Sequence, residues 1–124
     1  MSEGLPLHFD HVFQVWSYSK SHRKLVLRGR PGQEYDEFVD VIFNNVLGMK
    51  LASSYPRLSV AIAADVSEMD EFLDMPERYD RGFVNLEVSS GGTRKGFVVC
   101  KTVVVHRDTG WHGQEDVSGE ALRP

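Results

Sequence analysis

Val15-Trp16-Ser17-Tyr18-Ser19-Lys20-Ser21-His22-Arg23-Lys24-Leu25-Val26-Leu27-Arg28 decides the fold class. Side chains two apart on a strand share a face, so Trp16 and Tyr18 are expected to project together, as are Leu25 and Leu27. Ser19-Lys20-Ser21 is a short polar connection between an outgoing and a returning strand. Gly29-Arg30-Pro31-Gly32 then ends the pair, because proline fixes φ and glycine admits positive φ.

Outward from this hairpin the period-two pattern continues. Residues 9–18 alternate, and in 38–43 Val39, Val41 and Phe43 oppose Phe38, Asp40 and Ile42. Asn44-Asn45 can supply the positive φ of a tight turn into 46–51, where Leu47, Met49 and Leu51 lie together; this predicts a meander. Residues 58–63 and 83–88 are further short strands, and Ser89-Ser90-Gly91-Gly92-Thr93 reads as a hairpin loop. The run 96–106 is apolar on both parities, with Phe97, Val99, Val103 and Val105 against Val98, Cys100 and Val104. It is expected to be one central strand covered on both sides. One short helix is expected after Asp65 or Ser67, with Met69, Phe72 and Leu73 as its apolar stripe, ending before Pro76. The fold class is therefore mostly β, a single-domain antiparallel sandwich or small open barrel of about seven strands with one short helix. Residues 1–8 read as a loose arm, 9–112 as the β-rich domain and 113–124 as a polar tail.

A chain of 124 residues fits one domain and should bury roughly two-thirds of its unfolded surface, enough for a core without staples. One cysteine excludes an internal disulfide, no stretch reads as a signal peptide or membrane span, and the expected location is the cytoplasm. The net charge of −4 does not favour nucleic acid or an anionic membrane. Its distribution is uneven. Asp65, Glu68, Asp70, Glu71, Asp74, Glu77 and Asp80 surround the single base Arg78, whereas Lys20, Arg23, Lys24, Arg28 and Arg30 have no acid among them. Charge runs of this kind are most often solvated surface, and the alternative is a pair of docking faces.

Few residues form a chemical constellation. His8-Phe9-Asp10-His11 is the most metal-like cluster, but on extended backbone His8 and Asp10 share a face while His11 points away. His106, Asp108 and His112 could join only if the chain ends meet. No His-x-x-x-His or Cys-x-x-Cys spacing supports zinc, so neither metal nor cofactor is expected. Ser21-His22 is no dyad by adjacency, and Cys100 sits in the most apolar strand as packing. Asp40, flanked by Val39 and Val41, reads as the partner of a base such as Arg28 rather than as a catalytic acid. Trp16, Tyr18 and Trp111 could form a stacking platform for a sugar or a base, although period-two aromatics more commonly pack across strands.

The pattern Phe13-x-x-Trp16-x-Tyr18-x-x-Ser21-His22-x-x-Leu25-x-Leu27-Arg28, followed by Val39-Asp40-Val41-x-Phe43-x-x-Val46-x-x-Met49-x-Leu51, resembles small uncharacterised bacterial β-rich proteins. It is similar in this respect to the immunity proteins that neutralise polymorphic toxins. The resemblance spans 13–51 and implies a cytoplasmic β-domain that acts by binding another protein.

The leading expectation is thus a non-enzymatic protein-binding domain. In its immunity-type version Glu68, Asp70, Glu71 and Asp74 meet a cationic partner through electrostatic steering. The alternatives are a small-ligand or carbohydrate-binding domain using Trp16, Tyr18 and Trp111, and a metal-assisted hydrolase using His8, Asp10 and His11. An unprotected edge strand also offers a route to a homo-oligomer.

Overall fold

The computed structural model describes residues 4–31 and 37–108. Two antiparallel five-stranded sheets pack face to face as a β-sandwich. The strands are β1 (Leu7–Phe9), β2 (Phe13–Ser19), β3 (Lys24–Gly29), β4 (Phe38–Asn44), β5 (Gly48–Lys50), β6 (Ser54–Tyr55), β7 (Leu58–Ile62), β8 (Val84–Ser90), β9 (Thr93–Cys100) and β10 (Thr102–Asp108). The first sheet runs β1-β7-β8-β9-β5 and the second β10-β4-β3-β2-β6. Sheet formation begins at Leu7, inside the stretch read as an arm; Leu7 and Phe9 are buried, so these residues belong to the core.

The expected hairpin from β2 to β3 forms, and so does the one from β8 to β9. Gly91 and Gly92 turn the latter with φ of 60° and 83°, the two-residue geometry that matches strand twist. Three expectations fail for one shared reason: the chain changes sheets more often than its pattern reveals. Residues 96–106 are not one strand. The chain passes at Lys101 from β9 in the first sheet to β10 in the second, and the Lys101 N–H is held by the Asn44 carbonyl at 3.1 Å. The core lies on opposite sides of facing sheets, so the buried parity inverts there: Val98 and Cys100 join Val103 and Val105 inside the sandwich. Residues 9–18 likewise divide between β1 and β2, in different sheets. Asn44-Asn45 does not close a meander either; β4 pairs with β3 and β10, while β5 crosses to pair with β9.

Between the sheets, Phe13, Leu25, Leu27, Val39, Val41 and Phe43 meet Leu58, Val60, Leu86, Val88 and Val98. Tyr55 closes one end. Its hydroxyl accepts the Ala52 N–H at 2.9 Å and donates to the Lys95 carbonyl at 3.2 Å, and burial raises its pKa above the ordinary phenol value. A second cluster lies on the outer face of the first sheet. There α1 (Ser67–Leu73) sets fully buried Met69 against Phe97, Val99, Phe83 and Ala63. The helix starts as expected near Asp65, whose carboxylate accepts the Ser67 N–H and hydroxyl at 3.0 and 2.7 Å. It ends at Asp74, whose backbone is left-handed at φ 51°.

Candidate functional site

The two outer faces of the sandwich differ in kind. That of the first sheet is closed by α1 and by the 3₁₀ turn at Pro76–Arg81. The lone base of the acidic run proves to be the hub of this closure. Arg78 is 1% exposed; its guanidinium donates to Asn85 Oδ1, the Met75 carbonyl and the Asp70 carboxylate, and it stacks 4.5 Å from the Tyr79 ring. A buried cation must be this well partnered, because an unpaired one carries a large desolvation cost. Glu68 is also engaged, with Lys50 Nζ at 2.7 Å and Arg94 at 3.6 Å, and the Lys50 hydrogen bond holds its carboxyl below the usual range. Of the acids expected to meet a partner, Glu68 and Asp70 thus serve internal ion pairs. Glu71 and Asp74 remain exposed.

The outer face of the second sheet carries no helix among the described residues. Register lines up Gln14, Arg28, Asp40 and His106 across β2, β3, β4 and β10, and Ser17, Val26, Ile42 and Val104 beside them. The pairing of Asp40 with Arg28 is present and bidentate, at 2.8 and 3.0 Å. That fork fixes the guanidinium as a flat plate, which Trp16 faces at 4.5 Å and Phe38 at 5.5 Å. Arg30 lies 5.2 Å from the same indole. Trp16 is therefore held in a cation–π stack and is still 43% exposed.

A β-bulge explains why Trp16 sits there. The register with β3 slips between Val15 and Ser17, leaving Trp16 as the extra residue on the outer face. Tyr18, in contrast, lies opposite Leu25 on the core-facing parity. The bulge shifts the alternation, so the shared face expected for Trp16 and Tyr18 does not exist and the structure does not bring them into one stacking platform. Trp111, the third residue of that platform, lies outside the described residues, as does His112. Val12, Val15, Trp16 and Tyr18 are all exposed, an apolar concentration on β2 and its lead-in; among the described residues the other exposed large apolar side chains are Ile62, Phe72 and Tyr79. β6 pairs with β2 only at Phe13 and Gln14, and Val15 N–H is taken by the Ser53 carbonyl. From Trp16 to Ser19 the outer edge of β2 has no strand partner among the described residues.

The histidine cluster separates as its spacing requires. His8 Nε2 meets Asp10 Oδ1 at 2.9 Å and His8 Nδ1 meets Ser59 Oγ at 2.9 Å, a cross-strand chain of hydroxyl, imidazole and carboxylate. His8 and Asp10 side chains are 61% and 57% exposed, so water competes for each bond. His11 turns away to pack edge-on against Phe9 and Phe13, and burial lowers its pKa. No group of three metal-ligating side chains converges among the described residues. Cys100 is fully buried, and its thiol is pushed up to about 12, which keeps it protonated and unreactive.

Among the described residues no helix is long and apolar enough to cross a membrane. Compared with known protein families, with curated proteins and with solved structures, the chain matches none.

Proposed function

We propose that this chain is a non-enzymatic protein-binding domain whose contact surface is the open β2 edge together with the adjoining outer face of the second sheet. The observation that carries this reading is the concentration of exposed Val15, Trp16 and Tyr18 on β2, with Val12 just before it, where the outer edge from Trp16 to Ser19 has no strand partner among the described residues. An extended segment of a partner can add to such an edge through main-chain hydrogen bonds, with alternate side chains supplying specificity. The surrounding charge favours an acidic segment, since Lys20, Arg23, Lys24 and Arg30 border the strand and none has an ion-pair partner among the described residues. Trp16, rigidly stacked yet accessible, has the character of an interface anchor.

In the immunity-type version, with a cationic partner against α1, Glu71 and Asp74 carry the contact, because Glu68 and Asp70 are bound internally. The two versions separate in one experiment. Tagged wild-type protein, a Trp16→Ala/Tyr18→Ala variant and a Glu71→Gln/Asp74→Asn variant are used to capture partners at low and high salt, with the bound proteins quantified by mass spectrometry. The expected result is a stoichiometric, salt-sensitive partner held by wild type and by the acid variant but lost from the aromatic variant. Retention by the aromatic variant and loss from the acid variant would transfer the contact to α1.

A further inference from the structure

At the hairpin end of the second sheet's outer face lies a concavity of about 610 Å³, within the range of small-molecule sites. Its polar lining consists of Ser17, Ser19, His22, Lys24, Asn44 and Asn45, with Val26 as the apolar wall. The topology brings these together from three places. Ser17, Ser19, Lys24 and Val26 stand on the paired β2 and β3, Asn44 ends β4, and Asn45 follows it with left-handed backbone at φ 56°. Every polar group in this lining can donate a hydrogen bond, and none is a carboxylate. The nearest acid along β4, Asp40, is occupied by Arg28. Lys24 has no ion-pair partner among the described residues. His22 Nδ1 lies 3.1 Å from Ser19 Oγ and 3.2 Å from Ser21 Oγ, which orients the ring and leaves Nε2 available.

We propose that this concavity binds a phosphate monoester carried on a sugar-sized small molecule. An ammonium, an imidazole, two hydroxyls and two carboxamides match the several acceptor oxygens of a phosphate, and a lining without carboxylates spares the anion like-charge repulsion. The valine wall suits the C–H face of a sugar ring, and the volume accommodates more than the phosphate alone. The inference does not depend on the protein-binding reading, although the two share Lys24 and the Ser17–Ser19 end of β2; a small phosphorylated ligand tests it without any protein partner.

The test is a two-dimensional amide NMR titration of the full chain with glucose 6-phosphate, inorganic phosphate and glucose. Glucose 6-phosphate is expected to shift the amides of Ser17 to Lys24 and of Asn44 and Asn45 saturably, inorganic phosphate to shift the same set at least several-fold more weakly, and glucose to leave them unmoved. Lys24→Glu, and independently the near-isosteric Asn44→Asp, should each weaken glucose 6-phosphate binding about tenfold or more, the size of one lost charge-assisted contact. Amide spectra of both variants report whether the fold is retained. Glucose acting as well as its phosphate, shifts scattered over distant basic residues, no shifts at all, or unchanged affinity in a folded Asn44→Asp variant would each overturn the proposal.

Discussion

The closed outer face of the first sheet and the open outer face of the second solve the same problem in opposite ways. Both carry arginine among aromatics. Beneath α1, Arg78 is 1% exposed and its partners Asn85, Asp70 and Tyr79 exist to keep it so. On the open face, Arg28 is forked to Asp40 and capped by Trp16, yet the stack stays in contact with water. A charge buried under a helix must be satisfied from within the chain, and such a network is structural. A charge held flat at the surface under an exposed indole is ordered by its pair and its stack without being sealed from water.

The largest effect that sharpens this contrast is expected at Arg78. Arg78→Ala should cost about 3 kcal/mol in chemical denaturation, the lower end for a broken buried pair, because Asp70 can rehydrate while Asn85 and the Met75 carbonyl lose their partner. A loss as small as a surface substitution would break the contrast. Met69→Ala should follow at about 2 kcal/mol, since the cavity forms under a short helix that can settle. Its unfolding should remain a single transition if α1 is part of the cooperative unit.

On the open face, a double-mutant cycle between Arg28→Ala and Asp40→Ala should give a coupling of about 1 kcal/mol, because the pair is bidentate but partly solvated. Trp16→Ala should cost about 1 kcal/mol, the loss of a partly solvated cation–π stack, while abolishing partner capture, a loss of binding out of proportion to the loss of stability. The smallest effect is a slope. Burial lowers the His11 pKa in the folded state, so the unfolded chain binds the proton more readily. The neutral-His11 contribution is therefore complete above the ordinary imidazole value and is lost as pH falls through the depressed folded one. His11→Phe should flatten that limb of the stability–pH curve. Asp10 and Arg107 act on His11 in opposite senses, and Asp10→Asn, removing the raising influence, should steepen it.

Much of the fold was legible in period-two alternation and in turn residues. The β2–β3 and β8–β9 hairpins, the helix bounded by Asp65 and Pro76, and the Arg28–Asp40 pair all follow from local chemistry. Sheet membership was not legible. Alternation marks which side of a strand is buried, but the side facing the core depends on which sheet the strand occupies, and Lys101 gives no turn signal where that changes. The two-residue β6 falls below any periodic pattern. Within the candidate site, Trp16 was visible as an aromatic on a strand, whereas its separation from Tyr18 depends on a bulge that no glycine announces. Arg78 looked like one more surface charge because burial of an arginine is decided by partners distant in sequence, Asn85 above all.

Hydrogen–deuterium exchange of the chain, alone and bound to the captured partner, tests the central claim most directly. Docking on the open face should slow exchange in Phe13–Ser19, with the largest change at Trp16 to Ser19, and leave Ser67–Leu73 as it was. Protection confined to Ser67–Leu73 and Pro76–Arg81, with β2 unchanged, would contradict it.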